Sequence, residues 1–138
     1  MGGDGLDRRF FATVREVRSH GGDLWWLYLS RCQICGQDWM VAQEERIYDD
    51  YLLKRLSGGE ADGIVNDNYW PGDFLTYEKV LETARRLGSP GGFVDRHSPA
   101  LIESVRDLKR SRPDISATEI ARLLGVEEAH AREIMKAV

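Results

Sequence analysis

Two short apolar runs separated by a cysteine-bearing turn constrain this chain most. Residues 24–30, LWWLYLS, are followed by RCQICGQ and then by DWMVAQ. Runs this short, bounded by glycine and rich in aromatic and β-branched side chains, read as strands. In the first run Leu24, Trp26 and Tyr28 point to one side and Trp25, Leu27 and Leu29 to the other. Both faces are apolar, so both need cover. One cover is expected from the chain's own helices, the other from a partner. Before this pair, residues 10–17 (FFATVREV) suggest a first strand, ended by the SHGGD break. After it, residues 47–56 (IYDDYLLKRL) suggest a fourth strand or the start of a helix, since a short apolar run fits both.

The rest reads as helix. Residues 57–68 look like a short helix opened by Ser57 or Gly58. Trp70-Pro71 then breaks the chain, because the residue before a proline is pushed out of the helical region. Residues 74–88 carry an amphipathic stripe of Tyr77, Val80, Leu81, Ala84 and Leu87, with Gly88 as the stop. SPGG at 89–92 resembles a linker. Beyond it Ser98-Pro99 opens one helix, and Ser116 with Glu119 forms a capping box for the next. The expected fold class is α+β: a small antiparallel sheet with a zinc-knuckle-like turn, followed by helices and a C-terminal three-helix unit. The expected division is 1–88 for the sheet and its covering helices, 89–97 for the linker and 98–138 for the three-helix unit.

Cys32-x-x-Cys35-Gly36 between two strands has the form of a zinc knuckle, in which the turn aims both thiolates at one point. A structural zinc needs four ligands, and these are the only two cysteines. The histidines are His20, His97 and His130. A Cys2His2 set of Cys32, Cys35, His20 and His97 is one completion, and a second copy of the knuckle is another. The plain alternative is a turn without metal, so zinc is a candidate and no cofactor is required. A dithiol redox site wants its first cysteine at a helix N-terminus. Here a strand-like segment follows, which argues against that chemistry.

The net charge of −4 suits a basic partner, or no charged partner at all, better than nucleic acid. Glu44, Glu45, Asp49 and Asp50 form an acidic group beside Trp39 and Tyr48, expected to be a solvated rim. No nucleophile elbow, phosphate-binding loop or dinucleotide fingerprint is present, so the reading is non-enzymatic. No apolar run approaches a membrane span, and no signal peptide is read at the N-terminus. The two closely spaced cysteines of a chain read as leaderless suggest the cytoplasm.

The stretch CQICGQDWMVAQEERIYDDYLLKRL, with YWPGDFLTYEKVLETARRLG after it, resembles bacterial immunity proteins of polymorphic toxin systems. The matching positions are Cys32, Cys35, Gly36, Gln37 and Trp39, then Glu44, Glu45 and Arg46. The resemblance implies a cytoplasmic binding protein that blocks a cognate toxin, with no catalytic residues to carry over. The C-terminal ISATEIARLLGVEEAHAREIMKAV resembles a helix-turn-helix, with Ala121 at the crossing and Gly125 in the turn. Ile120, Leu123, Leu124, Ile134 and Met135 match its core. That keeps a DNA-binding regulator as the alternative, with His130, Arg132 and Lys136 as its contacts. Against it, the would-be recognition helix opens on Glu127-Glu128, which would face phosphate.

Overall fold

The computed structural model describes residues 4–20, 24–46, 50–88 and 95–138, with side chains from residue 8 onward. The chain is α+β and divides into two compact units. Unit 1 holds residues 1–45 and 49–75; unit 2 holds residues 46–48 and 76–138.

Unit 1 is built on a four-stranded antiparallel meander, β1 (Val14–Ser19), β2 (Leu27–Cys32), β3 (Asp38–Glu44) and β4 (Asp50–Arg55), in the order β1-β2-β3-β4. The register sorts the side chains. Leu27, Ala42 and Leu52 form one rung, and Leu29 faces Met40 on the same face. All five are buried. At roughly 1.5–3 kcal/mol per fully buried large aliphatic side chain, this face is the main source of the unit's stability. The helix α2 (Gly58–Asp67) follows β4, with Ala61 and Ile64 buried, and a single 3-10 turn (Gly72–Phe74) comes after it. Trp26 is buried and donates its indole N–H to the Phe74 carbonyl at 2.9 Å, and Lys54 reaches Asp73 at 2.6 Å. Both bonds fasten the 3-10 turn to the sheet.

The opposite face carries Tyr28, Val41 and Leu53 on one rung. Its cover comes from an element the sequence reading missed. Residues 10–13 are not strand; they end the helix α1 (Asp4–Thr13). Phe10 meets Trp39 edge-on with centroids 5.5 Å apart, and Phe11 packs on Tyr51 at 4.4 Å. No β-branched residue stands before Thr13 in this helix, so nothing local opposes helix, and two adjacent phenylalanines suit either state. Tertiary packing decides it. The second strand also starts later than expected, because Trp25 and Trp26 lie in the turn before Leu27.

Unit 2 gathers four helices: α3 (Tyr77–Arg86), α4 (Pro99–Ser111), α5 (Ala117–Leu124) and α6 (Glu128–Ala137). The division falls before α3, which clusters with the C-terminal helices, whereas the sequence reading grouped it with the sheet. Of its expected stripe, Tyr77, Val80, Leu81 and Ala84 are buried and Leu87 is exposed. Thr76 accepts the Lys79 N–H to start α3, and the Ser116–Glu119 capping box starts α5 as expected. Arg112 joins Glu78 of α3 at 3.2 Å and also pairs with Glu119 of α5. Arg122 reaches Glu82 of α3 at 2.8 Å. No helix among the described residues is long and apolar enough to cross a membrane.

Candidate functional site

The turn between β2 and β3 is tightly closed. The Cys32 N–H donates to the Gln37 carbonyl and the Gly36 N–H to the Cys32 carbonyl, each at 2.9 Å. Gly36 has φ +73°, a left-handed conformation that a side chain would strain. The Gln37 amide braces the base of the turn, donating to the Leu56 carbonyl at 2.8 Å while its oxygen accepts from Arg55 at 2.7 Å. Hydrogen bonding from backbone N–H groups, that of Cys35 first, holds the Cys32 thiol below its ordinary range. Both cysteines are free, with Cys35 exposed and Cys32 half-buried. Ile34, at the tip between them, is 82 % exposed.

The structure does not bring His20 of the expected Cys2His2 set to this turn. His20 donates its backbone N–H to Leu27 at the far end of the β1–β2 hairpin. Leu27 is five residues from Cys32 along the strand, about 16 Å at 3.3 Å per residue. The His20 ring packs against Trp70 instead, 5.3 Å between centroids. His97 belongs to unit 2, exposed, with its ring 6.3 Å from that of His130. Among the described residues no three His, Cys, Asp or Glu side chains gather as a metal-binding group.

The acidic rim expected on β3 and β4 is divided by strand alternation. Glu44 continues the buried series Met40 and Ala42 and is itself buried, so it cannot belong to a solvated rim. Glu45 is exposed and receives a hydrogen bond from Gln43. Asp50, opposite Glu44, is half-buried. Trp39 is half-buried under Phe10. Tyr48 and Asp49 lie outside the described residues.

The would-be DNA contacts separate as well. His130 is buried, its Nε2 2.7 Å from the Arg96 carbonyl, and so is not presented to a duplex. Arg132 is exposed but pairs with Glu128 one turn earlier. Lys136 is exposed, beside Glu133 on the same helix. Gly125, at φ +66°, donates its N–H to Ala121 and makes the sharp turn between α5 and α6.

A second acidic surface was not singled out from sequence. Residues 57–73 contain four acids, Glu60, Asp62, Asp67 and Asp73, and no lysine or arginine. The capping box of Ser57 with Glu60 opens α2, and Asn68, at φ +52°, closes it. The Tyr69 N–H then donates to Gly63 at 3.0 Å, which folds the chain back along the helix. Between helix and return lies an open cleft of about 530 Å³, lined by Ser57, Gly59, Glu60, Gly63, Tyr69 and Pro71. Tyr69 is 74 % exposed, and Val65 is also exposed on α2. Lys54 sits 3.6 Å from Glu60 and 2.6 Å from Asp73. The Glu60 carboxyl is held below its usual range, first by the Ser57 backbone N–H. Asp62 and Asp67 are exposed on the helix. The readable signal was this base-free run ending in Tyr69-Trp70.

Compared with protein-family models, curated proteins and solved structures, the chain matches none.

Proposed function

We propose that this chain is a non-enzymatic protein-binding protein that neutralises a basic partner, a bacterial toxin by the resemblance noted above, and that its docking face is α2 with the Tyr69 return. One observation supports the reading most: an exposed tyrosine lining a cleft, on a stretch of four acids that carries no base. Carboxylates at the rim speed encounter with a positively charged partner, while an aromatic anchor in the centre slows its departure. Asp62 and Asp67 take the steering role and Tyr69 the anchoring role. Lys54 pairs with Glu60 and Asp73. The cytoplasm is the compartment this reading requires.

The test is growth rescue. The chain is co-expressed with the toxin encoded beside it, in wild-type form and as the Tyr69→Ala/Asp62→Asn/Asp67→Asn variant. Rescue by the wild type and its loss in a variant that is soluble and folded by circular dichroism support the reading. Death of cells that contain both wild-type proteins in soluble form overturns it.

The second reading, a DNA-binding regulator, draws on the α5–turn–α6 arrangement with its left-handed Gly125. The exposed residues of α6 and its cap oppose it: Glu127, Glu128 and Glu133 against Arg132 and Lys136. Carboxylates at the start of a recognition helix repel phosphate. Salt-dependent retention of the purified chain on duplex DNA moves this reading to first place.

A further inference from the structure

We propose that Cys32 and Cys35 form half of a tetrahedral four-thiolate zinc site, which a second copy of this chain completes by meeting it knuckle to knuckle. The turn is already shaped for the task. Two free thiols stand on one bend, closed by the Cys32 N–H to the Gln37 carbonyl and the Gly36 N–H to the Cys32 carbonyl, each at 2.9 Å. Gly36 takes the left-handed conformation the bend needs, and the Gln37 bridge to Leu56 and Arg55 holds the bend rigid. Little ordering is left for the metal to impose.

The missing half must come from elsewhere. Zinc in a structural site takes four ligands, and the chain has two cysteines. His20 stands at the far end of the hairpin with its ring on Trp70. The nearest strand carboxylate, Asp38, is held by Arg31 at 2.7 and 3.2 Å. A second copy supplies two thiolates with the same geometry, and a two-fold axis through the metal makes the contact self-complementary. The meeting also covers Ile34, a large apolar side chain that the single chain leaves 82 % exposed at the tip.

The four thiols, two from each copy, give their protons to solvent as the four Zn–S bonds form, so zinc uptake acidifies an unbuffered solution.

The test uses the full chain, grown with added zinc and purified under a phosphine reductant without chelator. The expected result is about half an equivalent of zinc per chain, the ratio set by four ligands per ion. The expected mass in sedimentation is twice 15.7 kDa, falling to 15.7 kDa when a strong chelator removes the metal. Cobalt substitution should give the ligand-field bands of a tetrahedral all-sulfur site. Cys35→Ser should abolish zinc binding and dimerisation together. Ile34→Asp keeps both thiols and should weaken the zinc-linked dimer at least tenfold while leaving the circular dichroism spectrum unchanged. A full equivalent of zinc on a monomer overturns the proposal. So does a zinc-free protein whose two thiols titrate as free, and so does a dimer that survives both chelator and Cys35→Ser.

Discussion

Replacing Trp26 by phenylalanine isolates the bond that fixes one side of the α2 cleft. The Trp26 indole N–H donates to the Phe74 carbonyl, across 48 residues of sequence, in a buried setting. Phenylalanine leaves that carbonyl without this donor, a cost of roughly 1–3 kcal/mol for a buried group. It also empties the space of the second ring. At about 25 cal/mol per Å² for a few tens of Å² of lost apolar burial, that adds about 1 kcal/mol. The sum is about 3 kcal/mol. With a urea m-value of about 1.5 kcal/mol per molar, the midpoint of unfolding drops by about 2 M. Trp25 next door is 41 % exposed, so Trp25→Phe should move the midpoint by less than about 0.5 M. Far-ultraviolet circular dichroism follows both variants on the same urea axis. Equal shifts for the two tryptophans, or a Trp26→Phe shift below about 0.5 M, would refute the claim that this bond pins the 3-10 turn to the sheet.

Gly36→Ala should destabilise the chain by about 1 kcal/mol through its left-handed φ alone, because a Cβ there meets no atom within 4 Å; thermal unfolding reads it. The Glu119 carboxyl is lowered to about 2, by the Ser116 backbone N–H first and by Arg112 next. Its folded value lies below its unfolded one, so its contribution is present above about pH 4.5 and is lost as pH falls toward 2. Glu119→Gln should flatten the stability–pH curve in that window, measured by urea midpoints at a series of pH values. Asp62→Asn with Asp67→Asn should slow association with the partner and reduce its dependence on salt, with dissociation little changed, as read by stopped-flow mixing.

Legibility of this fold from sequence varied with the kind of signal. β2 and β3 follow from apolar runs bounded by Gly36 and by charged residues, α2 from its opening at Ser57, and α5 from the capping box at Ser116. In each the local preference and the tertiary packing agree. α1 was not legible, because Phe10 and Phe11 serve a helix as well as a strand until Trp39 and Tyr51 are placed under them. The position of α3 was not legible either. Its stripe shows that one face is buried but not which layer buries it, and Glu78 and Glu82 find their arginines just after α4 and on α5.

The candidate site shows the same limit. Four neighbouring acids between positions 44 and 50 look like one patch in sequence, yet a strand sends successive side chains to opposite faces, and Glu44 goes inward with Met40 and Ala42. That alternation was readable and outweighed by the appearance of a cluster. The cleft beside α2 needed the chain reversal at Asn68, whose left-handed backbone returns Tyr69 along the helix. Composition alone does not reveal such a reversal. The knuckle was legible as a turn, but the distance of His20 from it required the strand register.

The most direct measurement of the docking claim is amide hydrogen exchange on the chain alone and in complex with its purified partner. The account predicts that new protection concentrates in residues 57–73, strongest around Gly63 to Tyr69, where α2 and the return wall the cleft. Protection confined to α6, or to β3 and β4 around Glu45, would contradict it.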